Sequence, residues 1–309
     1  MVKNGIKVGN LAVQCIKSIH EHQNEINSIS VLDDGKIMSC SSDRTVKIFD
    51  PKDNYRNVFV RPAAKQRIDY VCQISDNLFA CGKYKSIDIW FIENSKNIPI
   101  HSIVKAHTKC IRKVIVVTNN RIASCAEDST IKIWNSVHPY NHIKTFLGHT
   151  NWVNSIIQLK GSETLVSGSS STDGTLRFWN MVTFKCLKVI TNVHCCYANS
   201  LLEVNNNKLI VGGKDVITIV NLINCTVEYK NERSDFGFVN CFEEVRDNIL
   251  ICGCGDGKMC FYDLENKKIT FIQQQEHKGD ITALVKMDNN LFASCSEDSY
   301  IKIWKINEC

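Results

Sequence analysis

Proline is scarce in this chain, four residues in 309, and no stretch approaches eighteen consecutive apolar residues. A helix that crosses a membrane needs about twenty, so a membrane span is not expected. The opening Met1-Val2-Lys3-Asn4-Gly5 carries neither the apolar core of a secretory signal nor a glycine at position two for acylation. An intracellular protein, cytoplasmic or nuclear, is the expectation. Any Pro-, Gly- or Ser-rich linker is missing too, so 1–309 reads as a single domain without a seam. The 16 cysteines include no C-x-x-C, and the close pairs Cys195-Cys196 and Cys252-Gly253-Cys254 lack His or Asp at ligand spacing. Neither a disulfide framework nor a metal site is expected.

The net charge of +5 is too small to point to general nucleic-acid binding. It is uneven, however: Pro51 to Arg121 holds thirteen Lys/Arg against five Asp/Glu. That sector suits an anionic partner, or is simply a solvated face. Catalytic signatures are absent as well. There is no G-x-S-x-G, no phosphate-cradling glycine loop, no H-E-x-x-H and no cofactor fingerprint. A non-catalytic protein without cofactor or metal is expected.

What the sequence does contain is a repeat. SSDRTVKIFD, AEDSTIKIWN, STDGTLRFWN, GDGKMCFYDL and SEDSYIKIWK share an Asp, a short turn and an alternating strand that ends in an aromatic. KYKSIDIWF and KDVITIVNL are weaker copies between them. The anchors Phe49, Trp90, Trp134, Trp179, Val220, Tyr262 and Trp304 are spaced by 41, 44, 45, 41, 42 and 42 residues, which covers the chain seven times. Each unit reads as four short strands; in the third they are Ile111 to Val117, Arg121 to Ala126, Thr130 to Trp134 and His142 to Phe146. A lone four-stranded sheet cannot bury both faces, so such units must pack face to face around an axis. The predicted fold is all-β: a seven-bladed propeller of four antiparallel strands per blade. Only five residues follow Trp304. The outer strand of the last blade is therefore expected from the N-terminus, at about 12–19 (AVQCIKSI), where it removes an exposed sheet edge.

The recurring pattern resembles the WD-repeat (WD40) family across the whole chain. That resemblance implies a hydrogen-bonded tetrad in each blade, made of a His, a Ser or Thr, the turn Asp and the Trp. Three units match in full: His107, Ser124, Asp128, Trp134; His149, Ser167, Asp173, Trp179; and His277, Ser294, Asp298, Trp304. The first keeps His22, Ser39 and Asp43 but has Phe49 for the indole. The second has Ala64 and Cys81 at the His and Ser positions, with Tyr84 near the Asp. The fifth keeps His194 but has Lys214-Asp215 at the turn and Val220 for Trp, and the sixth has Asp235 for His and Tyr262 for Trp, with Asp256 at the turn. These three blades are expected to be the softer part of the ring. Cys40, Cys125 and Cys295 sit where other repeats have Gly168 and Gly253, as small buried hydrophobes. Ser, His and Asp together invite a hydrolase reading, yet a trio that recurs around a ring is a framework. An active site would be singular.

Partners should meet the loops and rims, since strand interiors are committed to packing. The family resemblance implies the face that carries the loops into each first strand. One series of residues at that point is Asn27, Asp69, Arg112, Asn154, Asn199, Asn240 and Thr282; two residues earlier lie Glu25, Arg67, Cys110, Trp152, Tyr197, Phe238 and Asp280. Trp152, Tyr197 and Phe238 form an aromatic arc over blades 4 to 6, with Asn154, Asn199 and Asn240 just inside it. Such an arc suits peptide docking. Arg67, Lys83 and Arg112 mark blades 2 and 3, where they would clamp a phosphate or carboxylate. The leading expectation is a protein-interaction scaffold, monomeric within a hetero-complex, that recruits other proteins or peptide segments. The alternatives are an anion-binding module for phosphorylated peptide, acidic lipid headgroup or nucleic acid, and a subunit wedged into an assembly through its sides. Phosphoinositide-binding propellers carry Arg-Arg-Gly, which is absent from this chain.

Overall fold

The structure, a computed structural model, describes residues 6–8, 11–62, 66–92, 98–170, 172–193, 198–205, 207–232, 237–246, 248–273, 276–288 and 290–308. Ala64, His194, Cys195, Cys196, Tyr197 and Asp235 lie outside the described residues.

Seven antiparallel sheets follow one another along the chain. Their first strands are Ile26–Val31, Tyr70–Ser75, Ile111–Val117, Val153–Gln158, Ser200–Val204, Val239–Arg246 and Ile281–Asp288. Each packs against the first strand of the next blade, and that of blade 7 packs against that of blade 1. The ring is closed, a seven-bladed propeller.

Blade 3 shows how the residues make a blade. Its strands run Ile111–Val117, Arg121–Ala126, Ile131–Asn135 and His142–Phe146. Period-two alternation puts Ile122 opposite Trp134 and Ser124 opposite Lys132 on one sheet face. The second strand is buried on both faces, which explains its run of apolar and small residues.

One position of that second strand is small in every blade: Cys40, Gly82, Cys125, Gly168, Gly212, Gly253 and Cys295 occupy the same register against their third strands. The next blade leans on this point. A Cβ on Gly212 would lie 2.5 Å from the Phe242 ring of blade 6, and one on Gly168 would lie 2.6 Å from Ala198 at the approach to blade 5. Where cysteine is tolerated it is fully buried, and burial pushes the Cys125 and Cys295 thiols up to about 12.

The N-terminal strand Leu11–Ile19 pairs with Ile301–Glu308, setting Cys15 opposite Trp304 and Ile19 opposite Ile301. The chain ends thus share the last blade. That blade departs from the expected four strands by one, because Ile6–Val8 folds back onto Leu11–Val13. The reason is local: Ile6-Lys7-Val8 alternates like a strand and is followed by Gly9-Asn10, a dipeptide suited to hairpins. Among the described residues no helix is long and apolar enough to cross a membrane.

Candidate functional site at the channel mouth

Two groups of polar residues recur from blade to blade, one inside the blades and one at the axis. In blade 3 the Trp134 indole N–H donates to Ser124 Oγ at 3.0 Å, Ser124 Oγ lies 2.8 Å from His107 Nε2, and His107 Nδ1 lies 3.0 Å from Asp128 Oδ2. A carboxylate only accepts, so Nδ1 carries the proton and the serine hydroxyl donates to Nε2. The same Trp–Ser–His–Asp relay recurs in blade 4, at 2.8, 2.7 and 3.2 Å, and in blade 7, at 2.8, 2.7 and 2.9 Å. Blade 1 keeps His22 at 2.8 Å from both Ser39 and Asp43, with Phe49 where the indole would stand.

Burial pushes the four turn carboxyls upward, but hydrogen bonds from the histidine and from neighbouring N–H and hydroxyl groups outweigh it. Asp43, Asp128 and Asp173 are held well below the usual carboxylate range, and Asp298 is held down to about 2. Ser124, Ser167 and Ser294 are fully buried. Each hydroxyl faces an imidazole and an indole rather than a pocket, so the trio has no route to a substrate.

The other blades solve the same seam differently. In blade 2, Cys81 stands opposite the buried Asp88, whose carboxylate pairs with the Lys83 ammonium and accepts from Ser102 Oγ at 2.7 Å. In blade 5 the Thr218 hydroxyl donates to the Val193 carbonyl at 2.7 Å, while Asp215 N–H donates to the Gly237 carbonyl at the same distance. In blade 6, Asp256 joins no tetrad among the described residues; its carboxylate accepts from Lys258 at 2.6 Å. Tyr262, at the indole position, is fully buried, and burial pushes its hydroxyl pKa upward.

At one end of the axis the channel opens into a cavity of about 460 Å³, within the usual ligand-pocket range of about 300–1,000 Å³. Asn27, Asp69, Arg112, Asn154, Asn199, Asn240 and Thr282 all line it, one from each blade. Their convergence has a backbone cause. Asn27, Arg112, Asn154, Asn240 and Thr282 each fall at a register shift between the first and second strands, a β-bulge. A bulge inserts one residue and re-aims its side chain. No composition or alternation pattern announces it.

Most of these side chains are engaged. Asn27 donates to the Ile68 carbonyl at 2.7 Å and Thr282 to the Ile26 carbonyl at 2.6 Å, each stitching its blade to the next. Asn154 is the contrast: it is 6% exposed, and among the described residues neither Nδ2 nor Oδ1 has a hydrogen-bond partner. Glu25, Arg67, Cys110 and Asp280 of the second series also line the cavity. Trp152 and Phe238 are absent from its lining and are 38% and 40% exposed, Phe238 with Lys214 Nζ 5.4 Å from its ring centre. Tyr197, the middle of the expected arc, lies outside the described residues.

The phosphate clamp expected of Arg67, Lys83 and Arg112 is not assembled. Arg67 pairs with Asp69 at 2.8 Å, Arg112 approaches Glu127 at 3.7 Å, and Lys83 turns to Asp88 and does not line the cavity. Each cation already has a carboxylate beside it, which the charge count along the chain could not reveal.

The family model for the WD domain, G-beta repeat, matches residues 13–50, 98–135, 140–180 and 268–305. Nuclear distribution protein nudF 1 of Talaromyces marneffei is 34% identical over 107 residues, 34% of this chain and 22% of that protein. Nuclear distribution protein PAC1 of Candida albicans is 36% identical over 95 residues, 30% of this chain and 19% of that protein. Autophagy-related protein 16 of Arabidopsis thaliana is 22% identical over 299 residues, 94% of this chain and 57% of that protein. The chain therefore spans less than two thirds of the length of each.

Proposed function

The chain belongs to the WD-repeat family, and from that premise we propose that it is a non-catalytic interaction scaffold, a subunit of an intracellular multiprotein complex that docks a partner segment on the channel mouth. The observation that carries this reading is the convergence of one residue from every blade on a single open cavity, with Trp152 and Phe238 exposed beside it. Exposed aromatics give large contact area at small entropic cost. Amide side chains both donate and accept, as a peptide backbone requires. The relatives are named for two different processes, nuclear distribution and autophagy, so the shared repeat supports a platform rather than one pathway.

Cross-linking mass spectrometry on the complex purified through the tagged full chain tests the face. Lys109, Lys214 and Lys278 are exposed beside the mouth, whereas Lys144 and Lys188 are exposed on outer strands. Partner cross-links concentrated on the first three are expected. Cross-links confined to Lys144 and Lys188 would instead make the protein a subunit held through its sides.

A further inference from the structure

We propose that the channel mouth takes a cationic side chain, a lysine or arginine presented by the docked segment, between a cluster of carboxylates on blades 7 and 1 and the open amide of Asn154 on blade 4. This rests on the docking reading above and names what the docked segment must carry.

Glu25, Asp280 and Glu297 all line the cavity. They belong to the two blades that close the ring, and Glu297 N–H donates to the Asp280 carbonyl at 3.0 Å. Burial, with the nearby charges of Asp280 and Glu25, pushes the Glu297 carboxyl upward. The ion pairs at the mouth lie on blades 2 and 3, Arg67 with Asp69 and Arg112 with Glu127. Among the described residues no cation lies within ion-pair distance of Glu25, Asp280 or Glu297. Their polar contacts are neutral donors: Ser42 Oγ to Glu25 at 3.3 Å, and Asp256 N–H and Asn240 Nδ2 to Asp280 at 3.1 and 3.5 Å. Lys113 also lines the cavity, but its ammonium is directed to Ser155 Oγ at 3.4 Å, and burial lowers its pKa. No metal-holding group of His, Cys, Asp and Glu occurs among the described residues. The unmatched charge at the mouth is thus negative, and it suits an organic cation.

Asn154 supplies an independent pointer to the same occupant. Blade 4 is three blades from blade 7 and three from blade 1, so Asn154 faces the carboxylates from the far side of the ring. Its counterparts Asn27 and Thr282 bond to the next blade, yet both of its own amide atoms have no partner among the described residues, at 6% exposure. A buried amide left in that state is unfavourable until something pairs with it. A peptide group offers one N–H and one C=O, which would satisfy both atoms while its side chain reaches across to the carboxylates.

The test uses the purified full chain and four acetylated, amidated pentapeptides of alanine, with lysine, arginine, glutamine or glutamate at the centre. Binding is followed up to about 5 mM through the side-chain NH₂ resonance of Asn154, identified by its loss in Asn154→Ala. The lysine or arginine peptide should bind at least about tenfold more tightly than the glutamine peptide, and Asp280→Asn combined with Glu297→Gln should erase that preference without moving the thermal midpoint. Equal binding of the glutamine and lysine peptides would overturn the cationic inference and leave the docking reading standing. Preference for the glutamate peptide would overturn it too, by assigning recognition to Arg67 and Arg112. So would silence from all four peptides while the native partner still cross-links to the mouth; silence without such cross-links would remove both readings.

Discussion

Tryptophans and carboxylates occur in two regions of this propeller and end in opposite states. Inside blades 3, 4 and 7, the indole donates to serine, serine to histidine and histidine to aspartate, and each serine is fully buried. At the channel mouth Trp152 is 38% exposed, and among the described residues both amide atoms of Asn154 lack a partner and the carboxylates of Glu25, Asp280 and Glu297 have no cation beside them. A satisfied buried network fixes the backbone around it; an unsatisfied one keeps its interaction energy for a partner. Residue type alone does not separate framework from site. Partner state does.

If that division is sound, damage to the framework should cost stability and damage to the mouth should cost binding. The largest stability effect is expected from His277→Ala in the closing blade. It leaves Asp298, Ser294 and the Trp304 relay without their centre, and urea unfolding should show a loss of about 3 kcal/mol. Binding measured well below the new thermal midpoint should survive. An unchanged unfolding midpoint would show that the tetrad is not the framework.

Acid should act on the same side of the comparison. Asp43, Asp128, Asp173 and Asp298 have folded pKa values below that of an unfolded aspartate, about 3.9, so the unfolded chain binds more protons as pH falls. Their contribution is fully present above about pH 4 and declines toward the value of about 2 at which Asp298 protonates in the fold. Burial also holds the His149 imidazole below its ordinary range, which adds a loss that begins as pH falls below about 6.5. Urea midpoints followed from about pH 7 to about pH 2 should begin to decline below about pH 6.5, with His149, and decline further below about pH 4, with the aspartates; a flat profile would contradict it.

Trp134→Phe would give blade 3 the composition of blade 1, removing one buried hydrogen bond. A loss of about 1 kcal/mol is expected in the same unfolding assay. Asn154→Ala should not lower stability, because it breaks no bond the fold makes and removes a buried amide without a partner among the described residues. A loss as large as that of Trp134→Phe would place Asn154 with the framework.

Much of the framework was legible because it repeats. The anchors, aromatic in six blades and Val220 in the fifth, mark every third strand, and the predicted strands of blade 3 differ from the observed ones only at Ile131–Asn135. The closing strand was legible for a related reason: AVQCIKSI alternates like the outer strand of a blade, and it pairs as one with Ile301–Glu308. The mouth was only half legible. Its residues could be aligned across the repeats, but the bulges that turn Asn154 and Asn240 inward depend on register, which alternation does not encode. Lys83 looked like a surface cation because Asp88, its partner, lies on the neighbouring strand facing the blade interior. Glu25 and Glu297 are brought together only by ring closure, so no local window holds both.

The claim that the mouth is the site and the blades are the frame meets its most direct test in the double substitution Trp152→Ala with Phe238→Ala. Partner recovery by affinity purification and thermal unfolding should be measured on the same protein. Both rings are more than a third exposed, so the account predicts lost partner recovery with the thermal midpoint moved by no more than about 2 °C. A lowered midpoint with the partner still recovered would contradict it.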